Sequence, residues 1–355
     1  MKATMQIDKA EKLAFKVVED MGGAFTMALG YLGRSLGIFD ALTEAGPVTS
    51  QDLAKKTGLN ERYVHEWAKA MVAAEYIEYD SEGKGFFMND EQTFVLTNED
   101  SPLFVGGALQ FATPTTYNVP KIAQAFRHGG GIPYSEIGEE IPEAIEQFFR
   151  PSYLNFLVQE WVPEVPGLAT KLNEGTVVVD IGCGRGQSTV ILAKAFPKSE
   201  ILGIDTDADS IERAKNLAES SKVKNAHFLS STAEVLAVGD FKFDIVCTFD
   251  CVHDMVDPGS ALKAIHTMMT DDGIYLWGEP NASDDPVENR NPVGKCFSSV
   301  SPLHCLTVSL AHDGAGLGTI IGENGAKKLA ADAGFSSFRR LPVKHPFVQV
   351  FDVRK

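Results

Sequence analysis

The chain has 355 residues, 44% hydrophobic and 23% charged, with a formal net charge of −16. The length predicts about two domains, and the apolar share is enough for full cores, which excludes a disordered chain. An excess of negative charge repels phosphate, so nucleic acid and anionic lipid are excluded as default partners.

The five cysteines, Cys183, Cys247, Cys251, Cys296 and Cys305, form no C-x-x-C pair. That usage predicts reduced thiols rather than a disulfide scaffold. The opening stretch MKATMQIDKAEKLAFKVVED scatters charge through its length and holds no apolar centre, so no signal peptide is expected. No apolar run reaches the roughly 18 residues that span a bilayer. The expected setting is the cytoplasm, with no membrane partner.

Residues 1–100 read as one domain. Ala24 to Leu42 is a mostly apolar helix, and Thr49-Ser50-Gln51-Asp52 starts a second with a hydroxyl cap and an early acidic residue. That helix ends at Gly58, and Asn60 caps the next, NERYVHEWAKAMVAAEYI. Two β-prone stretches then flank Ser81-Glu82-Gly83-Lys84-Gly85, a hairpin signal. Helix, helix, helix, hairpin is the order of a winged helix. Residues 101–165 hold seven prolines and Gly129-Gly130-Gly131, which predicts a connector of short helices and stiff turns.

Residues 166–355 alternate strand and helix. TVVVDIG, ILGID, AHFLSS, FDIVCTF and GIYLWGE read as strands, with helices such as GQSTVILAKAF and ADSIERAKNLAESS between them. The fold class is therefore α/β, a parallel Rossmann-like sheet behind the helical N-terminal domain. Its strongest feature is VVVDIGCGRGQ, a buried strand running into Gly182, Gly184 and Gly186 before a helix. Glycines there permit a tight turn and close approach of a ligand. A dinucleotide fingerprint needs glycine or alanine where Gln187 stands. Asp180, at the strand end, repels a pyrophosphate but attracts a cofactor carrying an ammonium and a sulfonium. A nicotinamide oxidoreductase is disfavoured on both counts. Asp205 ends the second strand, where a carboxylate accepts hydrogen bonds from ribose hydroxyls, and Asp207 is placed to cap the following helix.

DIGCGRGQ, GIDTD and FDIVCTFDCVHDM resemble, in order and spacing, the motifs of class I S-adenosylmethionine-dependent methyltransferases, over about residues 165–355. The N-terminal part resembles the winged-helix module found ahead of this domain in a subgroup whose substrates are mostly unassigned. The resemblance implies S-adenosylmethionine as cofactor and S-adenosylhomocysteine as product. It implies that Asp180 and the glycine loop hold the methionine part, and that Asp205 holds the ribose. Ser231 and Thr232 then lie along the adenine, although many members have Asp where Thr232 stands. Thr206, Asp250 and Tyr134 complete the expected cofactor contacts.

The fourth strand ends in Asp250-Cys251-Val252-His253-Asp254-Met255, a loop expected to face the transferred methyl. His253 is the candidate general base, because neutral imidazole takes a proton near pH 7. His253-Asp254 resembles the His-Asp pair of small-molecule O-methyltransferases. The stretch from Pro280 to Gly322 is long for a loop and is expected to cover the site. It supplies the candidate substrate residues Phe297, His304 and Cys305. Cys251, His253, His304 and Cys305 lack the compact spacing of zinc sites, so no metal is expected.

The expected function is methyl transfer to a small-molecule oxygen or sulfur nucleophile, by a homodimer paired through the winged-helix region. The alternative is a winged-helix transcription regulator with a cofactor-sensing Rossmann domain. Residues 1–100 hold 8 Lys and 2 Arg against 7 Asp and 10 Glu, a poor footprint for DNA.

Overall fold

The computed structural model describes residues 5–44, 46–239 and 241–355. Residues 1–4, at the head of the segment expected to carry no signal sequence, lie outside the described residues. Packing divides the chain into two compact units, Met1–Thr116 with Glu140–Phe148, and Tyr117–Glu139 with Phe149–Lys355. The stretch 101–165, expected as a connector, is shared between them. Among the described residues no helix is long and apolar enough to cross a membrane.

The first unit opens with helix α1, Ile7–Ser35, and a short α2, Ile38–Thr43. The single helix expected over Ala24 to Leu42 is thus two. It breaks at Gly37, whose φ of +67° is open to glycine at little steric cost. It also starts far earlier, because the charged stretch ahead of Ala24 holds Ala, Leu, Glu and Lys, which favour helix. Helix α3, Ser50–Thr57, is capped by Thr49, which accepts the Asp52 N–H. Helix α4, Glu61–Ala73, is capped by Asn60. Strands β1, Glu78–Asp80, and β2, Gly85–Phe87, form the hairpin, and Val48 bridges to Phe86. Phe39, Leu42, Leu53, Trp67 and Met71 are buried together beneath them. This is the winged-helix order expected from the sequence.

The second unit is a seven-stranded sheet. Its strands are β3 Val177–Ile181, β4 Glu200–Asp205, β5 Ala226–Ser230, β6 Phe243–Phe249, β7 Met269–Pro280, β8 Ser337–Arg340 and β9 Val348–Arg354, in the order β5-β4-β3-β6-β7-β9-β8. The first five in that order run parallel, and β9 and β8 pair antiparallel at the end. The central strands β3, β6 and β7 are almost wholly buried, which explains their near-continuous apolar runs. The chain turns one way from β3 to β4 and returns on the other side at β6. In such sheets the crevice at the carboxyl ends of the strands, where the order reverses, is the ligand site.

Candidate functional site

Four neighbouring strands carry acidic residues at their carboxyl ends. Asp205 closes β4, Asp180 lies in β3, Asp250 follows β6 and Glu279 lies near the end of β7. The β6–β7 register pairs Phe249 with Gly278, which puts Asp250 and Glu279 side by side.

The glycine loop leaves β3 as expected. Gly182, Gly184 and Gly186 all have positive φ, at +69°, +51° and +84°. A Cβ on Gly182 would meet Cys251 at 2.7 Å, and one on Gly186 would meet Ala214 at 2.8 Å. Gly184, between them, faces open space. Asp180 is fully buried and accepts the Ser188 and Thr189 hydroxyls, each at 2.6 Å. Burial pushes its carboxyl up to about 6, against the lowering effect of those two hydroxyls. Asp205 accepts the Gly184 N–H and the Asp207 N–H, both at 2.9 Å, so it braces the loop as well as facing it. Burial raises its carboxyl too. Asp207 caps the next helix through the Ser210 N–H, as expected.

Asp250 holds a left-handed φ of +56°, and its N–H donates to Gly278 O. Non-glycine residues in that region are costly and concentrate at functional sites. Its carboxyl is pushed well up by burial, against the opposing pull of His253. Ser231 N donates to Asp205 O, which ties the end of β5 to the cleft. Thr232 serves as a helix cap, accepting the Val235 N–H. Thr206 is exposed.

His253 is fully buried in a short 3-10 turn, Val252–Asp254. Its Nδ1 lies 2.6 Å from Glu279 Oε2, and its Nε2 lies 3.3 Å from Asp254 Oδ1. Glu279 Oε1 accepts the Trp277 indole N–H at 2.7 Å. Glu279 is therefore the hydrogen-bond partner that orients the ring, a residue absent from the sequence reading, which named only Asp254 beside His253. Burial lowers the imidazole's proton affinity, but the carboxylates of Asp254 and Glu279 overcome it and hold it well above the usual histidine value. The neutral imidazole expected near pH 7 is thus displaced toward the charged form.

The long stretch after β7 is mostly helical. Asn291 caps a helix over Pro292–Leu303, with Pro at its first turn, and a second helix runs over Cys305–Leu310. Ser309 Oγ donates to Met255 O, and Ala315 N to Val256 O, which fasten this segment to the His253 turn. Thr307 O and Oγ1 both accept the Ile132 N–H, so the Gly131–Tyr134 turn is strapped to the same helix. The Tyr134 hydroxyl is raised by burial and then by Asp205, Asp207 and Asp254. His304 is buried, and its proton affinity falls accordingly. Phe297 is buried in the first of the two helices.

Tyr153 was not foreseen. It opens a π-helical stretch, Tyr153–Trp161, and its ring stands 5.5 Å from Phe249. Burial raises its hydroxyl well above the ordinary value, followed by Asp250 and Asp180. π-helical turns recur at functional sites. A depression of about 320 Å³ lined by Lys121, Gln124, His128 and Glu136 involves none of the catalytic candidates.

The fold has parallels among solved structures. Human N-acetylserotonin methyltransferase, solved in complex with SAM, superposes with a TM-score of 0.72 at 20% identity, covering 100% of this chain and 99% of that one. At that identity the likeness shows the fold alone. Family models then give the domains. Residues 172–325 match the methyltransferase domain, and residues 23–98 match the Rv2258c-like winged HTH domain. Among curated proteins it is similar to the uncharacterized methyltransferase YcgJ of Bacillus subtilis, 30% identical over 31% of this chain and 43% of that protein. It is also similar to a ubiquinone biosynthesis O-methyltransferase of Acinetobacter baylyi, 29% identical over 44% of this chain and 61% of that protein. The matched region thus spans about half the length of these relatives.

Proposed function

We propose that the chain transfers a methyl group from S-adenosylmethionine to an oxygen or sulfur nucleophile of a small molecule. The row of desolvated carboxylates around the glycine loop, Asp205, Asp180 and Asp250, carries this reading. Such a row suits a cofactor with an ammonium and a sulfonium and opposes a pyrophosphate. When bound, the cofactor supplies a methyl already activated by its positive sulfur. Asp180 and Asp250 hold the cationic end, and Asp205 takes the ribose. Tyr134 and the helices after β7 exclude water from the acceptor. His253 removes the acceptor proton at Nε2, with Glu279 fixing its tautomer from behind. Positioning for in-line attack does the rest.

Calorimetry tests the cofactor. S-adenosylmethionine and S-adenosylhomocysteine should bind and NAD should not; the reverse pattern defeats the proposal. Asp205→Ala should lower cofactor affinity at least tenfold, since charge-assisted hydrogen bonds contribute about 1.5–3 kcal/mol each. An unchanged affinity would reduce Asp205 to a brace for the loop.

The winged-helix domain belongs to a homodimer in this reading. Helix α1 exposes Phe15 (75%) and Phe25 (64%), with Val18 and Met21 between them. The double variant Val18→Asp, Met21→Asp should convert dimer to monomer in light scattering. A wild-type monomer at micromolar concentration refutes it. The regulator alternative is opposed by charge, because Arg62 and Lys69 on α4 are both paired to Glu66.

A further inference from the structure

His253, Asp254 and Cys305 each offer one metal-ligating atom, a ring nitrogen, a carboxylate oxygen and Sγ, and the three lie within 4.8 Å of one another. Their positions in the chain hide this, since the turn after β6 and the helix Cys305–Leu310 meet only in the folded molecule. Three observations go beyond proximity. The Nδ1 contact with Glu279 at 2.6 Å leaves Nε2 facing the cluster. A carboxylate behind a histidine in this way fixes the tautomer and strengthens the ligand at zinc sites. Ligand bonds of about 2.0–2.3 Å at tetrahedral angles separate neighbouring donor atoms by about 3.3–3.6 Å. His253 Nε2 and Asp254 Oδ1 stand 3.3 Å apart. Asp254 Oδ1 is also buried and takes part in no hydrogen bond, with the His253 ring 3.3 Å away as an ion-pair contact that a bound metal would replace.

We propose that His253 Nε2, Cys305 Sγ and Asp254 Oδ1 form a three-ligand site for a thiophilic divalent cation of the zinc class, with a fourth position left to an exogenous ligand. Nitrogen, sulfur and oxygen together select such ions over magnesium or calcium. Binding releases the Cys305 thiol proton, and any proton on Nε2, to solvent. The Thr319 hydroxyl, which donates to Cys305 Sγ at 2.9 Å, stabilises the thiolate that remains. The site also has a regulatory consequence, which rests on reading His253 as the base. One Nε2 lone pair cannot hold both a cation and the acceptor's proton, so the bound ion switches off proton removal.

Co²⁺ is the probe, because its thiolate complexes absorb through sulfur-to-metal charge transfer. The full chain should take up one Co²⁺ with that absorption, and Zn²⁺ should displace it. Cys305→Ser should abolish the band. Asp254→Asn should keep it but weaken binding by about 10–100-fold. Cys296→Ser, which removes the exposed thiol, should change nothing. A wild-type protein without the band, or a band that survives Cys305→Ser, overturns the site. Should Cys305→Ser fail to fold, an Asp254→Asn affinity equal to wild type overturns it instead. The band reports coordination and not turnover. A Co²⁺ band with methyl transfer unaffected by Zn²⁺ therefore keeps the site and removes the base.

Discussion

Replacing His253 by alanine is expected to lower turnover by about 10²–10⁴, the usual contribution of general-base catalysis. Cofactor affinity should stay nearly unchanged, because the carboxylates proposed to hold the cofactor sit on β3, β4 and the end of β6. The loss should shrink as pH rises, since the acceptor then ionises without help. A thiol acceptor recovers most, its pKa lying near about 8.5. In the wild type, activity should rise with pH through a midpoint above the ordinary histidine value. Below that midpoint Nε2 carries a proton and cannot accept another, and Asp254 and Glu279 hold it there against burial. Alanine leaves Glu279 buried with the Trp277 N–H as its remaining partner, and breaking a buried pair costs about 3–5 kcal/mol. His253→Gln, which keeps an N–H donor, serves as the folding control. Full activity at neutral pH in either variant makes His253 structural, and proximity alone then drives transfer.

Much of this site was readable because its signals are local. A buried strand, three glycines and a helix are contiguous from Val177 to Ala195, and the Asp180–Asp205 spacing is one βαβ step. Caps at Thr49, Asn60 and Asp207 are equally local, and each holds. Glu279 was missed because its meaning depends on the β6–β7 register, which brings it to a histidine 26 positions away. One clue was present: an acidic residue closing an apolar strand, two positions after Trp277 and so on the same face. Tyr153 gave no such clue, since a π-helical stretch shifts side chains off the 3.6-residue period. The long segment after β7 was read from its length as a loop with a part that could form a helix, and that part begins at Pro292, a first helical turn, where proline is at home. The convergence of Cys305 on His253 escaped any spacing rule, because it is made by tertiary packing.

Glu279→Gln should reduce turnover by about 10²-fold or more, with the fold intact, as loss of a carboxylate behind a catalytic histidine does elsewhere. Two N–H groups, from His253 and Trp277, converge on the two oxygens of Glu279. Glutamine has one accepting oxygen, and its amide N–H faces a donor on the other side. Either the Trp277 N–H loses its partner, or His253 moves its proton to Nε2 and loses the lone pair that accepts from substrate. The second outcome lowers kcat directly. Removing the negative charge also lowers the imidazole's proton affinity, so the pH midpoint of the residual activity should move down. A purely structural role for Glu279 predicts lower stability with the midpoint unmoved. The double variant His253→Ala, Glu279→Gln should be no slower than His253→Ala alone, since Glu279 acts through the ring. Residues that work as one unit are non-additive in this way. Independent, multiplying losses in that cycle would separate Glu279 from the base and leave Asp254 as the group that orients His253.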